Sequence, residues 1–158
     1  MTPYKRISIK RIMDDLLDHP MLQELSFERA INYAVENNVS VHLLGLVSDA
    51  GVHSLFSHLF ALIDTCKLNG VNNLYIHGFS DGRDTSPKSG IEFFKRLQDK
   101  LDEVQIGKIA TVCGRYYAMD RDKRWDRVEL AYNALTTGEG KHFRSAERAI
   151  ENEGGGQQ

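Results

Sequence analysis

Three short runs of apolar and β-branched residues, each followed by a longer stretch with helical spacing, constrain this chain more than any other feature. The runs are 41–47, 74–79 and 106–113. The first is nearly continuous in apolar character, as expected of a parallel strand buried on both faces. Between the first and second, Phe56, Leu59, Phe60, Leu62, Ile63 and Cys66 form a wide apolar stripe that stops at Asn69-Gly70, where Gly70 suits a helix end. Before the third, Thr85-Ser86-Pro87 offers a hydroxyl cap and a proline at the first helical position, with Ile91, Phe94, Leu97 and Leu101 directed inward. A further helix is expected over 123–135, with Trp125, Val128, Ala131, Tyr132 and Leu135 on one face, and a short one over 145–152. Strands alternating with helices imply right-handed crossovers. The fold class is therefore α/β, a parallel sheet with helices on both faces.

The ends read differently. Ile9, Ile12, Met13, Leu16 and Leu17 recur at helical spacing until His19-Pro20, and a second helix starts near Ser26 and stops at Asn37-Asn38. Residues 154–158, Gly-Gly-Gly-Gln-Gln, have no apolar period and read as a flexible end or a linker. The expected organisation is one domain over 1–150 and a Gly-rich tail over 151–158.

Composition narrows the partners. Of 158 residues, 41% are hydrophobic and 27% charged, the balance of a soluble globular domain. Twenty Lys and Arg against 22 Asp and Glu give a net charge of -2, so no overall positive field would hold nucleic acid or an anionic membrane. Any anion site must be local. Cys66 and Cys113 have neither CxxC spacing nor matching histidine pairs, so both are expected as reduced core residues rather than metal ligands. Neither an apolar leader nor a run of about 18 uncharged apolar residues occurs, which reads as a cytoplasmic protein without a membrane partner.

In an open parallel sheet, ligands bind beyond the carboxyl ends of the strands. The loops there read Ser48-Asp49-Ala50-Gly51-Val52-His53, Ser80-Asp81-Gly82-Arg83-Asp84 and Gly114-Arg115-Tyr116-Tyr117-Ala118-Met119-Asp120-Arg121. Topology brings His53, Arg83, Arg115 and Arg121 towards one region. Guanidinium forks match phosphate and carboxylate oxygens two at a time, so a small phosphorylated acid is the implied guest. Asp81 and Asp84 have two possible tasks, to fix arginine rotamers or to accept a hydrogen bond from a ligand hydroxyl. Taken singly each motif is unremarkable, since Asp-Gly-Arg-Asp is an ordinary turn and Arg121 lies in a charged helix start. Their coincidence at one edge carries the reading. No Gly-x-Ser-x-Gly, P-loop or GxGxxG motif follows any strand.

Leu46-Val47-Ser48-Asp49 through Val52-His53-Ser54, Asp81-Gly82-Arg83-Asp84, and Gly114-Arg115-Tyr116-Tyr117-Ala118-Met119-Asp120-Arg121-Asp122 closely resemble cofactor-independent phosphoglycerate mutase. The resemblance spans about residues 6–150 and includes Trp125 and Gly138-Glu139-Gly140. It implies an enzyme that interconverts 2- and 3-phosphoglycerate in glycolysis and gluconeogenesis. It also implies two domains: a phosphatase-like domain with a serine nucleophile and two manganese ions, and an inserted phosphotransferase domain that holds the glycerate. This chain is similar to part of the inserted domain. By motif position, His53, Arg83, Asp84, Arg115 and Arg121 match substrate-contacting residues, with Asp81 as a weaker candidate.

Two positions depart from the family pattern, because Ala50 replaces a glycine and Leu55 a histidine. Ala50 is acceptable where its φ is negative. The family's nucleophile, metal ligands, lysine and later arginine pair all lie outside the matched stretch. The chain is therefore expected to bind no metal itself, to depend on the missing phosphatase-like domain for turnover, and to present an incomplete sheet with an open edge. A non-catalytic phospholigand-binding module and an inactive gene fragment are the alternatives.

Overall fold

A computed structural model describes residues 26–153 of the chain. The elements are α1 (Ser26–Glu36), β1 (Val41–Val47), α2 (Phe56–Leu68), β2 (Leu74–Ser80), α3 (Gly90–Val104), β3 (Lys108–Gly114), α4 (Arg115–Ala118), α5 (Trp125–Thr136) and α6 (Ala146–Glu153). The helix expected over 9–17 and the residues 154–158 lie outside the described residues. Helix α6 runs on to Glu153, three residues into the stretch read as tail.

The three strands are parallel in the order β1-β2-β3, with Val41 beside Leu74 and Val47 beside Ser80. Moving in one direction by right-handed crossovers puts the two connecting helices, α2 and α3, on the same face. The core forms there: Val41, Val47, Leu74 and Ile76 from the sheet meet Ile63 and Cys66 of α2 and Phe94 and Leu97 of α3. Ile31 and Ala34 of α1 close it at one side. On the second face α5 contacts β3, where its Leu130 and Ala134 border the same cleft as Thr111 and Cys113.

Across that second face a line of polar side chains links all three strands. His42 Nδ1 lies 2.8 Å from His77 Nε2, and His77 Nδ1 lies 2.9 Å from Thr111 Oγ1. Burial, and then the neighbouring His42, hold His77 below the usual histidine range. Both histidines read from the sequence only as strand residues.

Several expectations are corrected. Among the described residues β1 is an edge strand, His42 is exposed and Leu44 is 57% exposed, and the strand is not covered on both faces. Helix α3 begins at Gly90, a turn later than Thr85-Ser86-Pro87 suggests. There the Ser86 oxygens close a local turn instead of capping: its carbonyl accepts from Ser89 N (3.0 Å) and its Oγ from Lys88 N (3.4 Å). The inward face of α3 is Phe93, Phe94, Leu97 and Leu101, and Ile91 is exposed. In α5 only Ala131 is buried, whereas Trp125 and Tyr132 face solvent. β3 starts at Lys108 because Gly107, at φ 88°, breaks the extended backbone before it. Cys66 is fully buried, and burial pushes its thiol up, while Cys113 is only partly buried.

Candidate functional site

Asp81 organises the carboxyl edge of the sheet. Its side chain is 1% exposed. Ser48, buried at the end of β1, donates from Oγ to Asp81 Oδ2 at 2.7 Å and accepts from Ala50 N at 3.2 Å. The other oxygen, Oδ1, accepts from Arg83 N (3.1 Å), Asp84 N (3.1 Å) and Arg115 Nη1 (2.7 Å). One carboxylate thus joins the loops after all three strands. Burial alone would raise its pKa, but the Ser48 and Arg115 hydrogen bonds and the two backbone N–H groups outweigh it and hold the carboxyl at about 2.

The first and second loops turn tightly where glycine permits it. Gly51 has φ 74° and Gly82 has φ 99°, while Ala50 avoids the left-handed region, which is the condition the sequence set for it. Ser54 Oγ donates to Leu46 O at 2.7 Å and ties the first loop back to its strand. Leu55 is the residue before α2, with extended backbone, and its side chain lies under Gly51. His53 projects from this loop, half exposed, with Nε2 3.8 Å from Asp84 Oδ2.

Arg115 opens α4 directly after β3. Its Nη1 donates to Asp81 at 2.7 Å and to Asp84 Oδ2 at 2.6 Å, which keeps the guanidinium charged and fixed. Further along the third loop, Asp120 repeats the Asp81 pattern. It is 2% exposed, and its Oδ2 accepts from Asp122 N (3.2 Å) and Arg124 N (2.9 Å). Its Oδ1 is 3.5 Å from Arg127 Nη1, and the Arg127 guanidinium lies 3.8 Å from the centre of the Tyr116 ring.

These loops enclose a cavity of about 430 Å³ whose lining includes His53, Arg83, Arg115, Arg121 and Asp81. Asp84 adjoins this lining, bonded to Arg115 and 3.8 Å from His53. The six residues singled out in the sequence are therefore brought together. Among the described residues, the guanidiniums of Arg83 and Arg121 make no ion pair, so both stand in the cavity without a carboxylate in contact, beside the tethered Arg115, in a lining of four arginines and the three aspartates Asp81, Asp120 and Asp122. A larger cleft of about 620 Å³ beside β3 contains no arginine in its lining. Among the described residues no group of three His, Cys, Asp or Glu side chains could hold a metal ion.

Sequence reasoning missed Arg127, which also lines the cavity, and the buried role of Ser48. Arg127 follows Arg124, Trp125 and Asp126 in a charged helix start, a pattern identical to a solvated face. Ser48 Oγ anchors Asp81 within a buried site, so Ser48→Ala is expected to cost about 1.5–3 kcal/mol. The same substitution should move acid unfolding to higher pH, because Asp81 loses a donor to its charged form. Acid titration of both proteins followed by circular dichroism checks it.

The family model described as BPG-independent PGAM N-terminus matches residues 12–157. The chain belongs to this family. The 2,3-bisphosphoglycerate-independent phosphoglycerate mutase of Clostridium tetani is 49% identical over 143 residues, covering 90% of this chain and 28% of that protein. The enzyme of the same name from Clostridioides difficile is 49% identical over 144 residues, covering 91% and 28%. This chain thus spans about 28% of the length of these phosphoglycerate mutases. Crystal structures of Leishmania mexicana phosphoglycerate mutase at low cobalt concentration include a chain that superposes with a TM-score of 0.78 at 31% identity. That match covers 88% of this chain and 27% of the other. The α/β class and the mutase resemblance expected from the sequence both hold.

Proposed function

We propose that this chain is the substrate-holding part of a 2,3-bisphosphoglycerate-independent phosphoglycerate mutase, which interconverts 2- and 3-phosphoglycerate. One observation carries the reading: Arg83 and Arg121, without carboxylate partners, share a cavity with an Arg115 already fixed by Asp81 and Asp84. A phosphorylated glycerate brings a phosphate and a carboxylate, and three guanidinium forks suit that pair of anions.

The chemistry that these residues supply is positioning and charge neutralisation, which make up most of the catalysis in phosphoryl transfer. Arg83 and Arg121 bind the phosphate or carboxylate oxygens, and Arg115 presents the edge that its tether leaves open. Asp84 uses Oδ2 for Arg115, which leaves Oδ1 to accept from the glycerate hydroxyl. His53, beside Asp84, orients the transferring group. Asp81, with its side chain 1% exposed and both carboxylate oxygens already bonded, acts by holding Arg115 and the second loop.

The cavity lining contains no serine, threonine or cysteine. The serine nucleophile belongs, on this reading, to a phosphatase-like half, where two manganese ions would polarise phosphoryl oxygens. Residues 1–150 then form part of the phosphotransferase domain, working in cytoplasmic glycolysis and gluconeogenesis. The 158-residue polypeptide assayed alone is expected to bind without turnover.

Thermal melts with and without 3-phosphoglycerate test this. Ligand at about 100 times its dissociation constant stabilises a folded protein by roughly 2.7 kcal/mol, a shift of several degrees in a domain of this size. Arg83→Ala and Arg121→Ala should each remove most of that shift, since a hydrogen bond to a charged group is worth about 1.5–3 kcal/mol. A cooperative melt that 3-phosphoglycerate leaves unmoved overturns the reading.

A further inference from the structure

The third loop contains a charge pair that no sequence motif singled out. Asp120 is nearly as buried as Asp81, and like Asp81 it accepts from two backbone N–H groups of its own loop. Arg121 lies between those hydrogen bonds, flanked by Asp120 on one side and by Asp122 N on the other. A buried carboxylate needs a compensating cation, and Arg127 on α5 is the cation that faces it. Arg127 is itself held in place by its contact over the Tyr116 ring, which meets Tyr117 edge-on at 5.2 Å. The helix α5, the Tyr116 ring and the Asp120 carboxylate thus form one brace behind the Arg121 loop.

We propose that Asp120 and Arg127 are positioning residues that set where Arg121 meets the anionic ligand. Arg127 acts through Asp120 and not by touching the ligand. The inference deepens the proposed function and takes Arg121 as a ligand-binding residue from it. The two acidic hubs then divide the work: Asp81 places Arg115 and the second loop, and Asp120 with Arg127 places Arg121.

A double-mutant cycle separates this role from the two others available to Arg127. Arg127→Met is expected to weaken 3-phosphoglycerate binding at least tenfold in titration calorimetry, and less than twofold when Arg121 is already alanine. Asp120→Asn keeps acceptors for the Asp122 and Arg124 N–H groups but releases Arg127. It should weaken binding as much as Arg127→Met does. Were Arg127 a direct ligand contact, freeing it in Asp120→Asn would leave binding intact or tighter, and Arg127→Met would still cost tenfold beside Arg121→Ala. Either result overturns the proposal.

A second readout needs no ligand. In nitrogen-15 relaxation spectra of the free chain, Arg127→Met should lower the order of the Arg121 side-chain Nε–H and of the Asp122 and Arg124 amides. The Arg83 amide, held by Asp81, should not change. Unchanged Arg121, Asp122 and Arg124 signals overturn the proposal even where 3-phosphoglycerate fails to bind. That failure alone would overturn the proposed function instead.

Discussion

Replacing Asp81 by alanine is expected to cost roughly 3–5 kcal/mol of stability and to remove phosphoglycerate binding with it. The carboxylate is 1% exposed and its loss strands four donors at once: the Ser48 hydroxyl, the Arg83 and Asp84 N–H groups, and the Arg115 guanidinium. Arg115, itself only 12% exposed, would keep Asp84 alone as a counter-charge. Urea unfolding measures the effect, and a loss below about 1 kcal/mol would show that the hub is dispensable. The pH dependence gives an independent sign. The folded carboxyl titrates at about 2 against an ordinary 3.8, so it stabilises the fold by about 2 kcal/mol above pH 4. That contribution fades as pH falls towards 2. The wild-type chain should lose stability across this window, and Asp81→Ala should lack that part of the decline.

A comparable loss is expected at the opposite side of β2. Phe94 is fully buried where α3 crosses the sheet, and Phe94→Ala should cost about 3–5 kcal/mol, as large deletions in packed cores do. The reason α3 can come so close is Gly78. A Cβ there would stand 2.6 Å from Phe94 Cε1 and 2.8 Å from Val47 Cγ2. Gly78→Ala should therefore cost about 1–3 kcal/mol through overpacking alone, since its backbone is not left-handed. The two sites are coupled, so Gly78→Ala should be milder when Phe94 is already leucine. Equal costs in both backgrounds would mean that α3 shifts bodily to make room.

The sequence was legible where one physical signal dominated. The strands of the sheet and the longer helices over the described residues follow from the alternation of β-branched runs with helical stripes, and the parallel class follows from the alternation itself, whereas the single turn of α4 lies in a stretch read as loop. The six expected site residues share one region because all stand in loops at the carboxyl ends of parallel strands. What was hidden depends on partners far apart in the chain. The apolar run at Val41–Val47 does not reveal that it forms an edge among the described residues, because strand order is set by crossovers rather than by composition. Ser86 and Pro87 carry a good helix-start pattern, yet the Ser86 oxygens close a turn within reach, and α3 waits until Gly90. Arg127 looked solvated because its counter-ion sits seven residues earlier, within the turn that separates α4 from α5.

One detail of Arg115 bears on the heat of binding. Both carboxylates that restrain it, Asp81 and Asp84, bond to the same nitrogen, Nη1. Among the described residues Nε and Nη2 make no hydrogen bond, so the opposite edge of the plane keeps its donors. An unrestrained arginine surrenders up to about 2 kcal/mol of rotational freedom when a ligand stills it. Here the folding of the chain has already stilled it. An anion arriving at that edge meets a fork at rest, and the entropy loss that normally offsets such a contact has been met before the ligand appears.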